Sequence, residues 1–252
     1  MTGSTFYGLN GKLALVTGSS RGIGKAAALQ LAREGARVIF HGSAPGAKLD
    51  AAVAEAGGKA QAVTADFGDL QAVEALAREL IGKALVPEIL VLNASVQSYT
   101  GLGNFDAAEY LRMFNTNVES SCLLLHLLLP EMRKKKWGRI IFTGSVNGVK
   151  PASRLALYGS TKAALMNLAR TAAQENAPFN ITVNTILPGV IETDRNAKAL
   201  SDPEFAAQLR EKIPMHRFGT AEECADLIAF LASDRASYIT GAEIPVAGGL
   251  QL

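Results

Sequence analysis

The chain has 252 residues, of which 48% are hydrophobic and 19% are charged, and its formal net charge at pH 7 is +2. This composition is typical of a globular, enzyme-sized protein, and it excludes a disordered chain or a strongly basic protein that coats nucleic acid. The two cysteines, Cys122 and Cys224, are accompanied by no C-x-x-C motif and no histidine cluster. We therefore expect no metal site, no disulfide framework and a reducing, cytoplasmic environment.

The longest apolar run and the most basic run of the chain adjoin each other. Residues 122–130 are apolar apart from one histidine, but a membrane-spanning helix needs about 20 such residues. We interpret this run as a helix buried in the core or in a subunit interface. The basic run at residues 133–139 is interpreted as the solvated end of that helix rather than as a site for an anionic partner. The first residues do not resemble a signal peptide. Because the net charge is only +2 and the longest apolar run is too short to span a bilayer, we expect neither a nucleic-acid nor a membrane partner.

Short β-rich segments alternate with longer helical segments along the chain. The strand candidates are nearly continuous apolar runs, as expected for parallel strands covered by helices on both faces. They lie at residues 12–17, 37–41, 61–64, 88–94, 138–145, 180–186 and 243–248. The helix candidates lie at residues 22–34, 47–56, 70–81, 118–136, 158–175 and 221–232. This alternation predicts an α/β fold, a doubly wound parallel sheet of the Rossmann type with helices on both faces.

One long segment interrupts the alternation. Residues 188–220 form a polar insertion between the sixth strand and the last helix, and a connection of that length in a compact domain is usually functional. No internal repeat, low-complexity tract or long linker divides the chain. We expect one dinucleotide-binding catalytic domain over residues 1–252, with a substrate lid at about 190–218.

A glycine-rich turn, TGSSRGIG at residues 17–24, connects the first strand to the first helix. Gly18, Gly22 and Gly24 permit a tight turn and a close approach of the backbone. A pyrophosphate can then bind the free N–H groups at the positive end of the helix. The spacing G-x-x-x-G-x-G differs from the more familiar G-x-G-x-x-G. Its position at the first strand-to-helix junction indicates a dinucleotide site.

The end of the second strand favours NADP(H) over NAD(H). An NAD site usually places an acidic residue there, which accepts from the ribose 2′-hydroxyl and would repel a 2′-phosphate. Here the strand ends in His41, Gly42 and Ser43, and the next acid is Asp50. Arg21 in the glycine turn adds a cation that can face the phosphate.

Tyr158 and Lys162 stand four residues apart on a predicted helix and therefore share one face. A phenol with a pKa of about 10 transfers protons poorly at pH 7, but a nearby ammonium would lower that pKa by about two units or more. Ser145 ends the fifth strand, at the edge where open α/β sheets bind ligands, and its hydroxyl can donate to a carbonyl oxygen. Together the three residues predict proton transfer at a substrate oxygen.

These residues belong to a longer series of motifs. The series is TGSSRGIG at 17–24, Asp66 after the third strand, LNAS at 92–95, Asn117 within NTNV, Ser145, YGSTK at 158–162, PGVIET at 188–193 and ITGAEIPVAGG near the end. In this order and spacing the sequence resembles the short-chain dehydrogenase/reductase family, in its short form, over essentially the whole chain. The resemblance implies hydride transfer between a nicotinamide and a carbonyl or alcohol carbon, with Tyr158 transferring the proton.

The resemblance also implies roles for the other catalytic residues. Lys162 would bind the nicotinamide ribose, Ser145 would hold the substrate oxygen, and Asn117 would anchor a water relay to the lysine. The four implied catalytic residues are Asn117, Ser145, Tyr158 and Lys162.

The implied cofactor site draws on every part of the chain up to the insertion. Asp66 would bind the adenine, Asn93 would support the cofactor cleft, and Thr193 with the backbone near Val190 would hold the carboxamide. The implied cofactor-binding residues are Gly18, Ser20, Arg21, Gly22, Ile23, Gly24, Ser43, Asp66, Phe67, Asn93, Tyr158, Lys162, Pro188, Gly189, Val190 and Thr193.

The sequence departs from the family pattern at two places. The usual N-N-A-G is L-N-A-S here, so Ser95 replaces a glycine near the nicotinamide side of the cleft, and Leu92 replaces the first asparagine. The usual Asp-Gly-Gly near the end begins with Ala247, which removes a structural hydrogen bond rather than a catalytic one.

The substrate stays open between two classes. The last third of the chain most resembles 3-oxoacyl-[acyl-carrier-protein] reductases, which dock an acidic carrier protein through two arginines. One of these positions is Arg170 here and the other is Pro130. A polar rim fits sugar, polyol or sugar-acid dehydrogenases of the same family at least as well. The rim consists of Gln97, Ser98, Tyr99, Asn147, Ser153 and Arg154.

Two further expectations concern catalysis and assembly. An alternative of a different class is a non-catalytic dinucleotide-binding sensor or scaffold, in which Ser95 prevents turnover. The resemblance also implies a homotetramer, with the predicted helices at residues 118–136 and 158–175 packing between subunits.

Overall fold

Seven parallel strands form the central sheet, in the order β3-β2-β1-β4-β5-β6-β7. The computed structural model describes residues 6–58 and 60–252. The strands are β1 (Leu13–Val16), β2 (Arg37–Gly42), β3 (Gln61–Thr64), β4 (Ile89–Leu92), β5 (Gly138–Thr143), β6 (Ile181–Pro188) and β7 (Glu243–Val246). All seven lie where the sequence predicts them, so the doubly wound parallel sheet is confirmed.

Helices cover both faces of this sheet. They are α1 (Gly22–Arg33), α2 (Ala47–Ala56), α3 (Leu70–Gly82), α4 (Ala107–Phe114), α5 (Ser120–Lys135), α6 (Ala156–Asn176), α7 (Asp194–Leu200), α8 (Pro203–Glu211) and α9 (Ala221–Ala232). The six predicted helices correspond to α1, α2, α3, α5, α6 and α9. The predicted start of α5 at residue 118 is wrong, because residues 115–119 form one widened π-helical turn and the α-helix begins at Ser120.

The apolar strands supply two separate cores, one on each face of the sheet. Leu15 and Leu90 belong to a core that α3, α5 and α6 also build. Their neighbours Val16 and Val91 point the other way, into a core shared with α1 and α9. Successive side chains of a strand alternate between faces, so a strand covered on both sides is apolar at most positions. β5 and β6 also bury polar side chains, among them Arg139 and Asn184.

Residues 188–220 are not the irregular loop that their polarity suggests. The segment contains α7 and α8, and Ala206, Ile213 and Phe218 form a small core of their own beneath them. Asp202 begins α8, since its side chain accepts hydrogen bonds from the backbone N–H groups of the first turn. The insertion is therefore a helical unit placed over the carboxyl edge of β6.

The apolar run at residues 122–130 lies within α5. Leu124 and Leu128 are fully buried in one core, whereas Cys122 and His126 are exposed on the other side of the helix. No helix within residues 6–58 and 60–252 combines the length and apolarity needed to cross a membrane.

The strand order places a crevice in the middle of the sheet. The chain runs outward from β1 through β2 to β3, then returns to β4 and runs outward the other way. Connections that diverge in this manner leave an opening at the carboxyl ends of the two central strands, which is where ligands of open α/β sheets bind.

Candidate active site

A cavity of about 850 Å³ extends along the carboxyl edge of the sheet, from the glycine turn to the helical insertion. The sequence-predicted residues that line it are Gly18, Ser20, Arg21, Gly22, Ile23, Gly24, Ser43, Asp66, Phe67, Asn93, Ser145, Tyr158, Lys162, Pro188, Gly189, Val190 and Thr193. Asn117 does not line it. The fold thus brings together residues that are up to 175 positions apart, from Gly18 to Thr193.

The glycine turn requires glycine at two positions. Gly18 has a φ of +64°, in the left-handed region, and a Cβ there would lie 2.9 Å from Cα of Ala94. A Cβ on Gly24 would collide with the carbonyl oxygen of Gly18 and lie 2.5 Å from Nδ2 of Asn93. The turn is therefore packed tightly against the end of β4, with its backbone facing the cavity, and it fits a dinucleotide pyrophosphate.

Thr17 and Asn93 hold this turn against β4. Asn93 donates from Nδ2 to the carbonyl oxygens of Thr17 and Gly18, at 3.0 and 3.1 Å. The hydroxyl of Thr17 accepts from the N–H groups of Asn93 and Ala94 and donates to the oxygen of Val91. The sequence predicts a supporting role for Asn93 but gives no signal for Thr17, whose partners come from a different strand.

His41, like Thr17, has a structural role that the sequence does not indicate, since there it bears only on the choice of cofactor. Its Nδ1 accepts from the N–H of Gly18 at 3.0 Å, so Nε2 carries the proton and donates to the oxygen of Ala65, also at 3.0 Å. Burial lowers the pKa of His41 to about 4, and the ring is therefore neutral at pH 7. The histidine ties β2, the glycine turn and the segment after β3 together.

Arg21, Ser43 and Asp66 mark the end of the cavity away from Tyr158. Arg21 and Ser43 are exposed, and no acidic side chain at the end of β2 lines the cavity beside them. Asp66 accepts from the N–H of Gly68 at 2.9 Å, and its other oxygen lies 4.0 Å from the guanidinium of Arg112. Phe67 is buried, with its ring centroid 4.2 Å from that of His41.

Ser145, Tyr158 and Lys162 meet at the other end of the cavity. Tyr158 is 5% exposed and Lys162 is 1% exposed, although both line the cavity. The ammonium of Lys162 lies 5.7 Å from the centre of the Tyr158 ring and donates to the oxygen of Thr143 at 2.7 Å. The hydroxyl of Ser145 accepts from the N–H of Asn147 at 3.1 Å, which fixes it at the end of β5.

The lowered pKa predicted for the Tyr158 phenol is wrong for the protein alone. Burial raises the pKa of Tyr158, and the neighbouring Arg195 guanidinium and a hydrogen bond to Ser145 only partly counter this effect. Burial and the charge of Arg195 lower the pKa of Lys162 to about 7, so the lysine is only partly charged at neutral pH. Lys162 is therefore not the strong, permanent cation that the sequence argument assumes.

Asn117 lies behind the cavity wall, in the widened turn before α5. Its Oδ1 accepts from the N–H of Val96 at 2.8 Å, and its Nδ2 donates to the oxygen of Val96 and to the hydroxyl of Thr161. The side chain thus joins the wall of the cavity to α6. In this arrangement Asn117 positions residues that reach the cavity, rather than reaching it itself.

Pro188, Gly189, Val190 and Thr193 form the start of the insertion. A Cβ on Gly189 would lie 2.9 Å from Cα of Ala247, so the chain passes close to the end of β7 here. Thr193 precedes α7 and faces the glycine turn, because a Cβ on Gly22 would lie 3.4 Å from its methyl group. These residues close the cavity opposite Asn93.

Arg195 is the site residue that sequence reasoning misses entirely. It projects from α7 across the cavity and donates to both the backbone oxygen and the hydroxyl of Ser95, at 2.7 and 3.0 Å. Its positive charge is close enough to act on both Tyr158 and Lys162. It lowers the pKa of Lys162 and offsets part of the rise that burial causes in the pKa of Tyr158. A cation two residues after Thr193 was the available signal, but only the fold shows that it lies over the end of the cavity that holds Ser145, Tyr158 and Lys162.

The polar rim is largely present. Five of its six predicted residues line the cavity, whereas Ser98 bonds instead to the hydroxyl of Thr100 at 3.0 Å. Arg154 has a φ of +64° and donates to the oxygen of Tyr99 at 3.2 Å. The rim therefore offers hydroxyl, amide and guanidinium groups around the catalytic end.

A doubly wound sheet with this glycine turn and this cavity defines a dinucleotide-binding α/β protein. Residues 18–251 match the family model described as enoyl-(acyl carrier protein) reductase. The chain is 39% identical over 246 residues to 3-oxoacyl-[acyl-carrier-protein] reductase FabG of Pseudomonas aeruginosa, covering 97% of this chain and 99% of that one. It is 35% identical to L-rhamnose 1-dehydrogenase (NAD(P)(+)) of Azotobacter vinelandii, covering 95% and 96%.

A solved structure agrees with both sequence comparisons. The 3-oxoacyl (acyl-carrier-protein) reductase of Agrobacterium tumefaciens C58, solved with NADP bound, superposes with a TM-score of 0.93 at 38% identity, covering 99% of this chain and 98% of that one. The chain belongs to the short-chain dehydrogenase/reductase family, and it is an NAD(P)-dependent oxidoreductase.

Proposed function

We propose that the protein is an NADP(H)-dependent carbonyl reductase or secondary-alcohol dehydrogenase in which Tyr158 transfers the proton. The observation that carries this proposal is the meeting of Ser145, Tyr158 and Lys162 at one end of a cavity whose other end is the glycine turn. When bound, the nicotinamide supplies or accepts the hydride. The rest of the chemistry falls to side chains of this chain.

Tyr158 is protonated at neutral pH, because burial raises its pKa. Transfer of that proton to a carbonyl oxygen that gains negative charge depends on the groups that counter the burial, the Arg195 guanidinium and the Ser145 hydroxyl. Ser145 donates a hydrogen bond to the same oxygen. The phenolate left on Tyr158 is stabilised by Arg195 and by the protonated fraction of Lys162. In the oxidative direction Tyr158 must first lose its proton, so oxidation is favoured by higher pH.

Replacing Tyr158 by Phe tests this role. We expect kcat/KM with NADPH over a panel of carbonyl compounds to fall by about 10²- to 10⁴-fold, the usual contribution of a positioned acid, while NADPH affinity changes little. Tyr238→Phe is the matched control, because Tyr238 is fully exposed and does not line the cavity. Equal activity of the wild type and Tyr158→Phe would overturn the enzyme proposal in favour of a non-catalytic sensor or scaffold.

The cofactor is proposed to be NADP(H), with the sixteen predicted cofactor-binding residues of the cavity as its site. Support comes from Arg21 and Ser43 in the cavity lining and from the end of β2, which carries no acidic residue to repel a 2′-phosphate. The carboxylate of Asp194, which also acts on Arg21, is neutralised by its ion pair with Lys48. Arg21→Ala is expected to weaken NADPH binding about tenfold or more and NADH binding much less. A fluorescence titration in which the wild type binds both cofactors equally would contradict the preference.

A 3-oxoacyl thioester is the first proposed substrate, because two of the similar proteins are 3-oxoacyl-[acyl-carrier-protein] reductases. A docked acyl carrier protein is the partner that this substrate implies. The surface supports it only in part, since Arg170 is paired with Glu243 at 2.8 Å and Pro130 occupies the second position. Absence of turnover with acetoacetyl thioesters, free and carrier-linked, would exclude this substrate.

Sugars, polyols or sugar acids are the second proposed class. The similarity to an L-rhamnose 1-dehydrogenase supports it, as do the rim residues that line the catalytic end. A screen of these compounds with NADP⁺ and NAD⁺ tests it directly, and turnover of thioesters alone would exclude it.

We further propose one catalytic domain over residues 1–252 with a substrate lid at 190–218, a cytoplasmic location, and a homotetramer that packs α5 and α6 between subunits. The half-exposed outer side of α5 supports the interface. Sedimentation equilibrium that gives the monomer mass would contradict the tetramer.

A further inference from the structure

The substrate end of the cavity carries an excess of positive charge. Lys150, Arg154, Arg195 and Lys212 all line the cavity around the rim and the lid. None of the four forms an ion pair with an Asp or Glu side chain among the described residues. Lys150 does donate to the oxygens of Leu250 and Leu252, at 2.8 and 2.6 Å, so its ammonium is already partly engaged. A concave wall lined by charges of one sign concentrates the field and attracts a ligand of the opposite sign.

The acidic residues that line the cavity lie elsewhere. Asp66 stands at the far end and accepts from the N–H of Gly68. Asp194 lines the cavity at the start of α7 but is paired with Lys48 at 2.6 Å, and this ion pair lowers the pKa of its carboxyl group. Neither carboxylate balances the four cations, in a protein whose formal net charge is only +2.

Of these four cations, Arg195 is the one whose charge affects both Tyr158 and Lys162. Its guanidinium donates to the neutral oxygens of Ser95, and a hydrogen bond to Tyr158 also counters the raised pKa of that phenol. Both bonds to Ser95 use one terminal nitrogen, Nη2, and Arg195 has no carboxylate partner among the described residues, so donors of the fork remain for a planar anion. Ser95, a departure from the family pattern, therefore anchors Arg195 over the catalytic end.

We propose that the substrate is an oxo or hydroxy acid whose carboxylate, close to the reacting carbon, binds Arg195, with Lys150, Arg154 and Lys212 drawing it into the cavity. This inference rests on the proposed function, which it narrows to anionic substrates. A neutral thioester or polyol places no negative charge beside Tyr158 other than the transient one on the reacting oxygen. A carboxylate supplies the partner that Arg195 lacks, through charge-assisted bonds.

Matched pairs of acids and neutral analogues test the inference. We would measure kcat/KM with NADPH for pyruvate, acetoacetate and levulinate against their methyl esters, and with NADP⁺ for D-gluconate against D-glucitol. The three oxo acids place the carboxylate progressively farther from the carbonyl. The wild type is expected to prefer the acid by about tenfold or more in at least one pair, with a preference that falls as ionic strength rises.

Two substitutions in α7 test whether the preference for acids over esters depends on Arg195. In Arg195→Gln the ratio of acid to ester kcat/KM should fall by about tenfold or more, mainly through KM for the acid, and Arg195→Lys should restore part of it. Lys198→Gln is the matched control, since Lys198 has the same charge on the same helix but does not line the cavity. It should leave the ratio unchanged.

The outcomes separate this inference from the proposed function. If neutral esters are turned over as well as acids, or if Arg195→Gln keeps the wild-type ratio, the carboxylate site is refuted while the oxidoreductase stands. If no compound of the panel is turned over, the carboxylate site is tested by binding alone. Calorimetry would then measure the affinity of the NADP⁺ complex for the three oxo acids and for their esters. Equal affinities, or none for the acids, would then overturn the inference, and tighter acid binding that Arg195→Gln removes would support it.

Discussion

His41 and Lys162 are two buried bases at the same edge of one sheet, and burial lowers the pKa of both. In the cofactor half, each ring nitrogen of His41 bonds to the backbone, one to Gly18 and one to Ala65. In the catalytic half, Lys162 donates to the oxygen of Thr143, has no carboxylate partner in the described chain, and faces the cavity. Both ring nitrogens of His41 therefore have hydrogen-bond partners in the fold, whereas the ammonium of Lys162 keeps donors that can bond to a ligand in the cavity.

The difference teaches what each half does. A neutral histidine with both nitrogens occupied stabilises the glycine turn and has no chemistry left to perform. A lysine with a pKa of about 7 is held in a costly environment, as expected of a group that serves the proposed site. Stability and chemistry are thus assigned to opposite sides of the crevice.

The largest expected effect comes from replacing Lys162 by Met. Proton transfer at Tyr158 loses its nearby cation, so kcat should fall by about 10²-fold or more. The free energy of unfolding of the cofactor-free protein should nevertheless rise, by about 2–4 kcal/mol at pH 7. This estimate is the cost of a pKa lowered by several units, less the hydrogen bond to Thr143. Urea unfolding and steady-state kinetics measure the two changes.

The pH dependence of the Lys162→Met variant provides its own check. In the wild type, unfolding restores the lysine to its usual pKa, so the unfolded state binds more protons between about pH 7 and 10 and stability rises with pH there. The variant should lack this rise. Lys198→Met, at an exposed position, should retain it, and a variant less stable than the wild type would break the comparison.

The next largest expected effect comes from replacing His41, and it concerns the free energy of unfolding at acidic pH. Because its pKa is about 4 when folded and about 6.5 when unfolded, the unfolded state binds the extra proton between those values. The contribution of His41 to the free energy of unfolding is therefore highest above pH 6.5, and protonation of His41 in the unfolded state lowers it by about 3 kcal/mol as the pH falls to 4. His41→Asn should lose this decline, as urea unfolding from pH 7 to 4 would show.

A control for His41 is available on the surface. His126→Asn removes an exposed histidine of α5, and its stability profile should follow that of the wild type. The His41→Asn variant should also bind NADPH more weakly, because the N–H of Gly18 loses its fixed acceptor. Unchanged acid sensitivity in His41→Asn would show that His41 is not a buried neutral base.

The smallest expected effect on stability comes from breaking the ion pair that connects α2 to α7. Lys48 of α2 contacts Asp194 of α7 at 2.6 Å, but both side chains are at least half exposed to solvent. Lys48→Ala should therefore change the free energy of unfolding by less than about 1 kcal/mol, and by less still at high salt. A loss of several kcal/mol in chemical unfolding would mean that the helical insertion contributes directly to the stability of the fold.

Most of the fold could be predicted because its strands are apolar at consecutive positions. The runs around Leu15, Leu90 and Ile140 face two cores and carry no competing pattern. The helices α4, α7 and α8 escaped prediction because each spans only seven to nine residues and buries few side chains, although α4 is clearly amphipathic. The Asp202-Pro203 start of α8 was a readable signal, since Asp is a preferred N-cap and Pro a preferred first helical residue.

The candidate site was predictable where a residue acts through its place in a motif. Gly18, Tyr158 and Lys162 are of this kind, and all line one cavity. His41 and Arg195 were not predictable, because their roles depend on partners that the fold supplies, Gly18 and Ala65 for one and Ser95 for the other.

The pKa of Tyr158 failed as a prediction for a physical reason. The charge of Lys162 alone would lower the pKa of Tyr158, but both groups are buried, and burial penalises the charged form of each. A favourable pairwise charge effect can be computed from spacing alone, whereas desolvation requires the surrounding structure.

The small core of the helical insertion affects how this protein can change during evolution. Ala206, Ile213 and Phe218 pack with other residues of the insertion and with Leu250, after β7, rather than into either main core. A segment that brings most of its own packing can be exchanged for another with little change to the host sheet, as long as its contact with the chain after β7 is kept. Grafting residues 190–218 from a related enzyme would then transfer Arg195 or its replacement as one unit, so substrate choice can diverge while the dinucleotide half is inherited intact.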